Sequence, residues 1–302
     1  MSLVDAIQQL KKERNAVVLA HNYQPPEIQE LADFVGDSLG LSVQASRTDA
    51  EVIIFCGVDF MAESAKVLNP GKTVILPEPQ AMCPMAAMCD AETLRDVKAL
   101  YPGVAVVAYV NTSAAVKAET DICCTSSNAV KVVGSLEARR ILFVPDGNLG
   151  RYVQRFFPDK ELIVWPGYCP THEGISPEEV RRLKGEHPKA LVLVHPECRP
   201  EVIDMGDKVA STEGMIKFAQ MSEAKEFIIA TEGELTYRLG KEVPGKSFYS
   251  IPCAVCPTMK MITLQKVHDS LVSLEPRIEL PDEIIEKARI PLERMMSIGR
   301  GD

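Results

Sequence analysis

Three stretches of β-branched and other apolar residues each end in a polar side chain. They cover residues 17–21, 104–109 and 190–195, so their last residues His21, Tyr109 and His195 lie 88 and 86 positions apart. Two further sets of apolar stretches keep nearly the same spacing, at 52–55, 141–144 and 227–230, and at 74–77, 163–166 and 248–252. Short apolar runs bounded by turn residues predict strands that are buried on both faces. The chain is therefore predicted to contain a repeat of about 87 residues.

Helical patterns separate these predicted strands. Examples are residues 129–136 and 178–183, the second of which follows the helix-start sequence Ser176-Pro177-Glu178-Glu179. Alternation of strands and helices predicts parallel sheets. We therefore predict an α/β fold of three similar domains, each a three- or four-stranded parallel sheet flanked by helices. The predicted domains are 1–86, 87–172 and 173–259, and the tail 260–302, helical over 283–296, is expected to pack back on the first.

Composition narrows the classes of function. The 302 residues are 46% hydrophobic and 25% charged, as in an ordinary globular protein, and 33 Lys and Arg against 42 Asp and Glu give a net charge of −9. This balance argues against non-specific binding to nucleic acid or to anionic membranes. No apolar run approaches the ~20 residues of a membrane span, and residues 1–15 do not resemble a signal peptide. A cytoplasmic protein without a nucleic-acid or membrane partner is expected.

Three of the nine cysteines follow the repeat. Cys83, Cys169 and Cys256 are 86 and 87 positions apart, and each comes after the third predicted strand of its unit. The other six have no equivalents in all three units; they are Cys56, Cys89, Cys123, Cys124, Cys198 and Cys253. Ligands of open parallel sheets gather beyond the carboxyl ends of the strands. Three thiolates meeting there would require a metal centre, because a reducing cytosol and an odd number argue against disulfides.

The spacing alone leaves several metal centres open. One is a zinc ion held by three thiolates and completed by water or by His172. Another is a [4Fe–4S] cluster with one iron free of protein ligands, which would act as a Lewis acid. Cys253 and Cys256 also form a CxxC sequence, which is typical of a redox pair or of half a zinc site together with Cys83 and Cys89. Unrelated buried thiols are the remaining interpretation.

Polar residues at repeat-equivalent positions suggest what this centre acts on. Ser38, Ser126 and Thr212 lie 88 and 86 positions apart before helical patterns, where they would serve either as N-caps or as parts of an anion-binding pocket. The first strands of the three units end in three tripeptides, which are His21-Asn22-Tyr23, Tyr109-Val110-Asn111 and His195-Pro196-Glu197. Imidazole, phenol, amide and carboxylate groups in one place are suited to acid–base chemistry on a small polar substrate.

Eight short stretches, in order along nearly the whole chain, closely resemble the quinolinate synthase family in its shorter form. They are His21-Asn22-Tyr23-Gln24, Gly36-Asp37-Ser38-Leu39, Cys83-Pro84-Met85-Ala86, Tyr109-Val110-Asn111-Thr112, Cys124-Thr125-Ser126-Ser127-Asn128, Trp165-Pro166-Gly167-Tyr168-Cys169, His195-Pro196-Glu197-Cys198 and Cys256-Pro257-Thr258-Met259-Lys260. The resemblance implies three α/β domains arranged with pseudo-threefold symmetry around a central, oxygen-sensitive [4Fe–4S] cluster. Its implied ligands are Cys83, Cys169 and Cys256.

The resemblance also implies a reaction of NAD biosynthesis, in which iminoaspartate (iminosuccinate) condenses with dihydroxyacetone phosphate to form quinolinate, phosphate and water. A second enzyme would supply the iminoaspartate. The implied substrate-binding residues are His21, Ser38, Tyr109, Val110, Asn111, Ser126, His195, Pro196, Glu197 and Thr212. The implied catalytic residues are His21, Tyr23, Tyr109, His172, His195 and Glu197.

Individual roles follow as hypotheses. Glu197 with His195 is expected to act as the base of the late dehydration, while His21 and Tyr23 serve the phosphate-bearing substrate. Two other functions share some of these features: a reductive three-cysteine [4Fe–4S] dehydroxylase and an iron–sulfur sensor. The reductive enzyme would need an electron donor, and the sensor would need an effector surface.

Overall fold

The computed structural model describes residues 2–302. It contains three sheets, each of four parallel strands and each flanked by helices. The predicted α/β class with three similar sheets is thereby confirmed, and each sheet has four strands. The predicted domain boundaries at 86, 172 and 259 stay a prediction.

The first sheet has the strand order β2-β1-β3-β4. Its elements, in chain order, are α1 (Leu3–Glu13), β1 (Ala16–His21), α2 (Pro26–Leu31), β2 (Phe34–Gly36), α3 (Ser38–Arg47), β3 (Val52–Cys56), α4 (Asp59–Leu68) and β4 (Thr73–Ile75). All five residues of β3 are buried, because helices cover both faces of a parallel sheet.

The second sheet repeats this arrangement as β6-β5-β7-β8. A short 3₁₀ turn (Ala86–Met88) leads into it, and its elements are α5 (Ala91–Leu100), β5 (Ala105–Tyr109), α6 (Ala114–Lys117), β6 (Ile122–Cys124), α7 (Ala129–Ser135), β7 (Arg140–Val144), α8 (Gly147–Gln154) and β8 (Glu161–Val164). The helix predicted over 129–136 is α7.

The third sheet has the order β10-β9-β11-β12. Its elements are α9 (Pro170–Glu173), α10 (Pro177–Glu186), β9 (Leu191–Val194), α11 (Pro200–Ile203), β10 (Lys208–Val209), α12 (Thr212–Met221), β11 (Glu226–Ala230), α13 (Leu235–Glu242) and β12 (Ser247–Ser250). The tail adds a 3₁₀ turn (Thr258–Lys260), α14 (Leu264–Ser273) and α15 (Asp282–Ile298). Ser176 caps α10, as its sequence predicts.

The three sheets repeat residue by residue. The central strand pairs place Leu19 opposite Phe55, Val107 opposite Phe143, and Leu193 opposite Ile229. Both members of each pair advance by the 88 and 86 positions found in the sequence. Since a shift of one residue would turn every side chain to the other face, the shared register means that the strand ends point equivalent residues to equivalent places.

A buried hydrogen bond also recurs in each unit. The backbone N–H groups of Val18, Val106 and Val192 donate to carboxylates that stand fifteen residues further along, at 2.7–2.8 Å. The acceptors are Asp33, Asp121 and Asp207. Each carboxylate ties the start of the second strand to the first strand, which fixes the loop that carries the polar residues described below.

The tail packs against the first two units. Helix α14 lies against α1, and α15 lies against α4, α6 and β6. Ala288, Leu292 and Met295 on α15 are fully buried in these contacts. Over residues 2–302, no helix has both the length and the apolar composition that crossing a membrane requires.

Candidate active site

One cavity lies where loops from all three sheets meet. Most of the residues predicted to form a site line it: His21, Tyr23, Ser38, Cys83, Tyr109, Asn111, Ser126, Cys169, His172, His195, Glu197, Thr212 and Cys256. Its wall is completed by apolar side chains such as Val58, Phe60 and Met61. A concave, mostly apolar site with a few convergent polar groups is typical of a small-molecule pocket.

Two predicted substrate-binding residues do not line this cavity. Val110 is buried, and its backbone N–H donates to the carbonyl of Cys124 at 2.8 Å. Pro196 lines a neighbouring cavity instead, which shares Ser126 with the central one. Both positions lie just beyond the end of a strand, Val110 in a bend after β5 and Pro196 in a turn after β9.

The three repeat-related thiols are free and partly exposed at the cavity wall. Cys83 follows β4, Cys169 precedes α9, and Cys256 follows β12. Burial raises the pKa of the Cys83 thiol to about 12 and that of Cys169 well above its usual range. Cys83 and Cys169 are therefore protonated at neutral pH without a metal, and they would release protons on binding one.

Cys169, His172 and Glu197 bring one donor atom each to within 4.8 Å of the others. The distance between His172 Nδ1 and Glu197 Oε2 is 2.6 Å, and that between His172 Nδ1 and Cys169 Sγ is 3.1 Å. Ligand atoms of a tetrahedral zinc ion would lie about 3.3 Å apart, since each bond is about 2.0–2.1 Å long. The shorter contact is therefore a hydrogen bond, which occupies the nitrogen that would complete a zinc site.

A continuous hydrogen-bonded chain crosses the cavity. The Tyr109 hydroxyl donates to Glu197 Oε1, and Glu197 Oε2 accepts from His172 Nδ1. The other ring nitrogen of His172 lies 2.7 Å from Thr231 Oγ1, which in turn lies 2.7 Å from the Tyr23 hydroxyl. The chain therefore joins two tyrosines through a carboxylate, an imidazole and a hydroxyl.

The direction of these hydrogen bonds follows from the groups themselves. An ionised Glu197 can only accept, so His172 donates to it from Nδ1. An imidazole with its single proton on Nδ1 accepts at Nε2 from the Thr231 hydroxyl, whose oxygen then accepts from Tyr23. In that arrangement every link carries one proton and every donor points toward Glu197, so the chain is oriented to deliver a proton to this carboxylate.

Burial and the neighbouring charges set the protonation states. Burial alone would raise the pKa of Glu197. The interactions of its carboxylate with His172, His195 and Tyr109 outweigh the effect of burial and hold this pKa below its usual range. Burial and the charge of Glu197 raise the pKa of Tyr109 and of Tyr23 well above 10.0. Glu197 is thus the acceptor of the chain and the tyrosines are donors at neutral pH.

His21 and His195 are neutral in the folded protein. Burial lowers the pKa of His21 to about 4 and that of His195 to about 3, although Glu197 and Asp37 oppose this effect. The ring of His195 stacks on that of His172 at 4.6 Å between centroids. Neutral imidazoles keep one donor and one acceptor each, which suits them to hold a polar substrate.

We expect the free energy of unfolding to fall as the pH is lowered from 7 to 5. The unfolded chain binds protons on His21 and His195 near pH 6.5, whereas the folded chain resists them until about pH 4. The expected loss is about 2 kcal/mol per histidine. Urea unfolding at the two pH values measures it. His195→Gln should reduce the difference, and His268→Gln on α14 should not; an unchanged difference in His195→Gln would refute the assignment.

The three predicted hydroxyls are not used as helix caps. Ser38 and Thr212 are the first residues of α3 and α12, and the caps are their neighbours Asp37 and Ser211. Ser126 lies in the turn before α7. Thr212 Oγ1 accepts from Asn22 at 2.7 Å. These hydroxyls and the adjacent helix N-termini favour negatively charged ligand groups.

Asn111 adds an unsatisfied group. Its side-chain oxygen is buried and has no hydrogen-bond partner among residues 2–302. A buried acceptor without a partner costs free energy, so a ligand that donates to it would bind more tightly.

Three carboxylates in the cavity wall each contact a basic side chain. Arg300 holds Asp37, Lys260 lies 2.7 Å from Glu232, and His172 holds Glu197. None of the described residues that line the cavity is Lys or Arg. The charges of Asp37 and Glu232 are thus compensated by Arg300 and Lys260, which do not line the cavity.

The sequence analysis missed Thr231, Glu232 and Asp37. Thr231 directly follows β11, and the repeat places Gly57 and Pro145 at the same position after β3 and β7. A polar residue that breaks the repeat at a strand end could have identified it. Asp37 stands beside Ser38 in the sequence but was not considered separately.

Comparisons with known proteins identify the family of the chain. The family described as "Quinolinate synthetase A protein" matches residues 5–297. The chain is 55% identical over 299 residues to a quinolinate synthase of Desulforudis audaxviator, and 53% identical over 297 residues to one of Methanoregula boonei, with 98% of each chain covered. It is also 55% identical over 293 residues to a quinolinate synthase of Dehalococcoides mccartyi, with 97% of both chains covered.

Proposed function

Because the chain belongs to the quinolinate synthase family, an enzyme family, we propose that it condenses iminoaspartate with dihydroxyacetone phosphate in the central cavity. The products are quinolinate, phosphate and water. The observation that supports this proposal most is the hydrogen-bonded chain through Glu197, which places a base and two phenols beside three thiols and three hydroxyls in one cavity.

The residues present fit a [4Fe–4S] cluster. Three free thiols from three different units line one cavity whose remaining wall is largely apolar. Cys83, Cys169 and Cys256 would hold the cluster, leaving one iron without a protein ligand. When bound, the cluster would supply a Lewis acid that polarises a substrate oxygen.

The hydroxyls and helix N-termini would bind the acidic groups of the substrates. Ser38, Ser126 and Thr212 belong to different units, so carboxylates bound by them are held in a fixed orientation. The absence of lysine and arginine from the lining, among the described residues, means that hydrogen bonds and dipoles would select the ligand instead of a free cation.

Glu197 would take up the proton that is lost in dehydration. Tyr109 and His172 orient its two oxygens, and the chain through Thr231 joins it to Tyr23, which also lines the cavity. His21 lies edge-on to Tyr23, with the ring centroids 4.5 Å apart, and would share the contacts with the phosphate-bearing substrate.

The direct test is an anaerobic assay with iminoaspartate and dihydroxyacetone phosphate. We expect quinolinate and phosphate in equal amounts, with no consumption of a reductant. Consumption of a reductant in proportion to product would favour the reductive dehydroxylase, and the absence of any quinolinate from iron-replete protein would refute the proposal.

We expect Thr231→Val to lower kcat at least about tenfold, because the isosteric side chain cannot join His172 to Tyr23 and leaves His172 Nε2 and the Tyr23 hydroxyl without this partner. Thr231→Ser keeps the hydroxyl and should restore most of the rate. The pH dependence of kcat separates this role from a merely structural one, since only a broken proton chain should shift the profile. Equal rates in the Val and Ser variants would contradict it.

A further inference from the structure

The last four residues, 299–302, run across the outside of the cavity wall, and we call them the 299–302 strap. They contact the loops that carry the three predicted hydroxyls, one from each sheet. Arg300 holds Asp37, the cap before Ser38. The N–H of Gly301 donates to the carbonyl of Ser127, the neighbour of Ser126, at 2.8 Å. Asp302 Oδ2 accepts from the N–H of Ser211, the cap before Thr212, at 2.9 Å.

The strap fits these loops closely. A Cβ added to Gly301 would lie 2.7 Å from the carbonyl oxygen of Ser127, and one added to Gly214 would lie 2.4 Å from Asp302 Oδ2. Contacts of this length exclude any larger residue without movement of the backbone or of Asp302. The side chain of Asn128 donates to the carbonyl of Gly299 at 3.1 Å, which fixes the start of the strap.

Arg300 forms a two-pronged ion pair with Asp37. Its Nη1 and Nη2 lie 3.1 and 2.5 Å from the two carboxylate oxygens, and Nη2 also reaches Ser211 Oγ at 3.3 Å. The Asp37 side chain is 8% exposed and lines the cavity, whereas Arg300 does not. A planar guanidinium matched to a carboxylate in this way is the most directional ion pair that proteins form.

This pair has a consequence for ligand binding. Asp37 stands beside Ser38, where the proposed function places an acidic group of a substrate or product. An uncompensated carboxylate in a poorly hydrated wall would repel such a group. Arg300 neutralises Asp37 from outside the cavity and so removes this repulsion. It places no cation inside the cavity, where a cation could bind other anions.

We propose that Arg300 is a positioning and specificity residue, which lets the cavity bind dicarboxylates by neutralising the charge of Asp37. The 299–302 strap also fixes the positions of the three hydroxyl-bearing loops relative to one another. This inference rests on the proposed function and assigns a role to a residue outside the cavity. Arg300 acts through Asp37 and Ser211 and contacts no substrate.

The test compares ligand affinity in four proteins: wild type, Arg300→Gln, Asp37→Asn and the double variant. Calorimetry on the anaerobically purified proteins gives Kd for pyridine-2,3-dicarboxylate and for the monoanion pyridine-2-carboxylate. Arg294→Gln serves as the matched control, since Arg294 is an exposed arginine of α15 that donates to the carbonyl of Asp121. Thermal unfolding of each variant reports structural damage separately.

We expect Arg300→Gln to weaken dicarboxylate binding by about tenfold and monoanion binding less, since an exposed negative charge repels the dianion more strongly. The double variant should recover to within about threefold of wild type, because Asn keeps the helix cap but carries no charge. Arg294→Gln should bind as wild type does.

Unchanged affinity in Arg300→Gln would overturn the inference while leaving the proposed function intact. A double variant as weak as Arg300→Gln would overturn the charge argument, since the strap would then matter only structurally. Wild-type protein that neither binds nor forms the dicarboxylate would overturn the proposed function itself, and this inference with it.

Discussion

Glu197→Gln is expected to lower quinolinate formation by about 1,000-fold, the middle of the range for a lost general base. The amide has the same shape but cannot take up a proton at neutral pH. It would also meet the hydroxyl of Tyr109 and Nδ1 of His172, both of which donate to the native carboxylate. The measurement is kcat under anaerobic conditions with equal iron content in both proteins.

The matched control is Glu201→Gln, an exposed glutamate at the first turn of α11. It should retain wild-type turnover. Near-normal rates in Glu197→Gln with intact iron content would show that the base lies elsewhere, and the hydrogen-bonded chain would then serve only to hold the pocket together.

Replacing any one of Cys83, Cys169 and Cys256 by alanine is expected to abolish both iron–sulfur content and turnover. Two remaining thiols would leave a second iron without a protein ligand, and the half-buried wall offers no carboxylate free of a partner to replace the third. Iron, acid-labile sulfide and the visible spectrum of anaerobically purified protein measure the first effect, and the quinolinate assay measures the second.

Cys89→Ala is the control for these three variants. Cys89 is a buried thiol that follows the 3₁₀ turn after Cys83 and does not line the cavity. It should keep its iron and its activity. Full iron content in one of the three variants, or its loss in Cys89→Ala, would refute the ligand assignment and favour an interpretation that uses the other cysteines.

The repeat made much of the fold predictable from the sequence. Buried parallel strands must be apolar on both faces and must end in polar residues, so equivalent strands leave equivalent patterns. The pairs Leu19–Phe55, Val107–Phe143 and Leu193–Ile229 keep the same spacing as those patterns. Equivalent strands also end at equivalent places, which explains why His21, Tyr109 and His195 line the same cavity.

Residues that do not follow the repeat were harder to identify. Thr231 contacts Tyr23 and His172, which lie 208 and 59 positions away in the sequence. No local sequence pattern predicts either contact. Val110 and Pro196 were included with their neighbours, but they lie in a bend and a turn beyond the strand ends and do not line the cavity.

The 299–302 strap lies outside the repeat altogether. Arg300 reaches Asp37 across 263 positions, and its pairing depends on how the tail is folded across two units. Charge pairing over such separations is specified by tertiary packing. The sequence predicted a tail that packs back on the body, but not which of its residues contact the loops around the cavity.

The most direct measurement is a crystal structure grown without air in the presence of quinolinate. We expect a single cluster bound by Cys83, Cys169 and Cys256, with one iron that has no protein ligand. The carboxylates of quinolinate should lie near Ser38, Ser126 and Thr212. Sulfur atoms that bind no common centre, or a protein side chain on that fourth iron, would contradict this expectation.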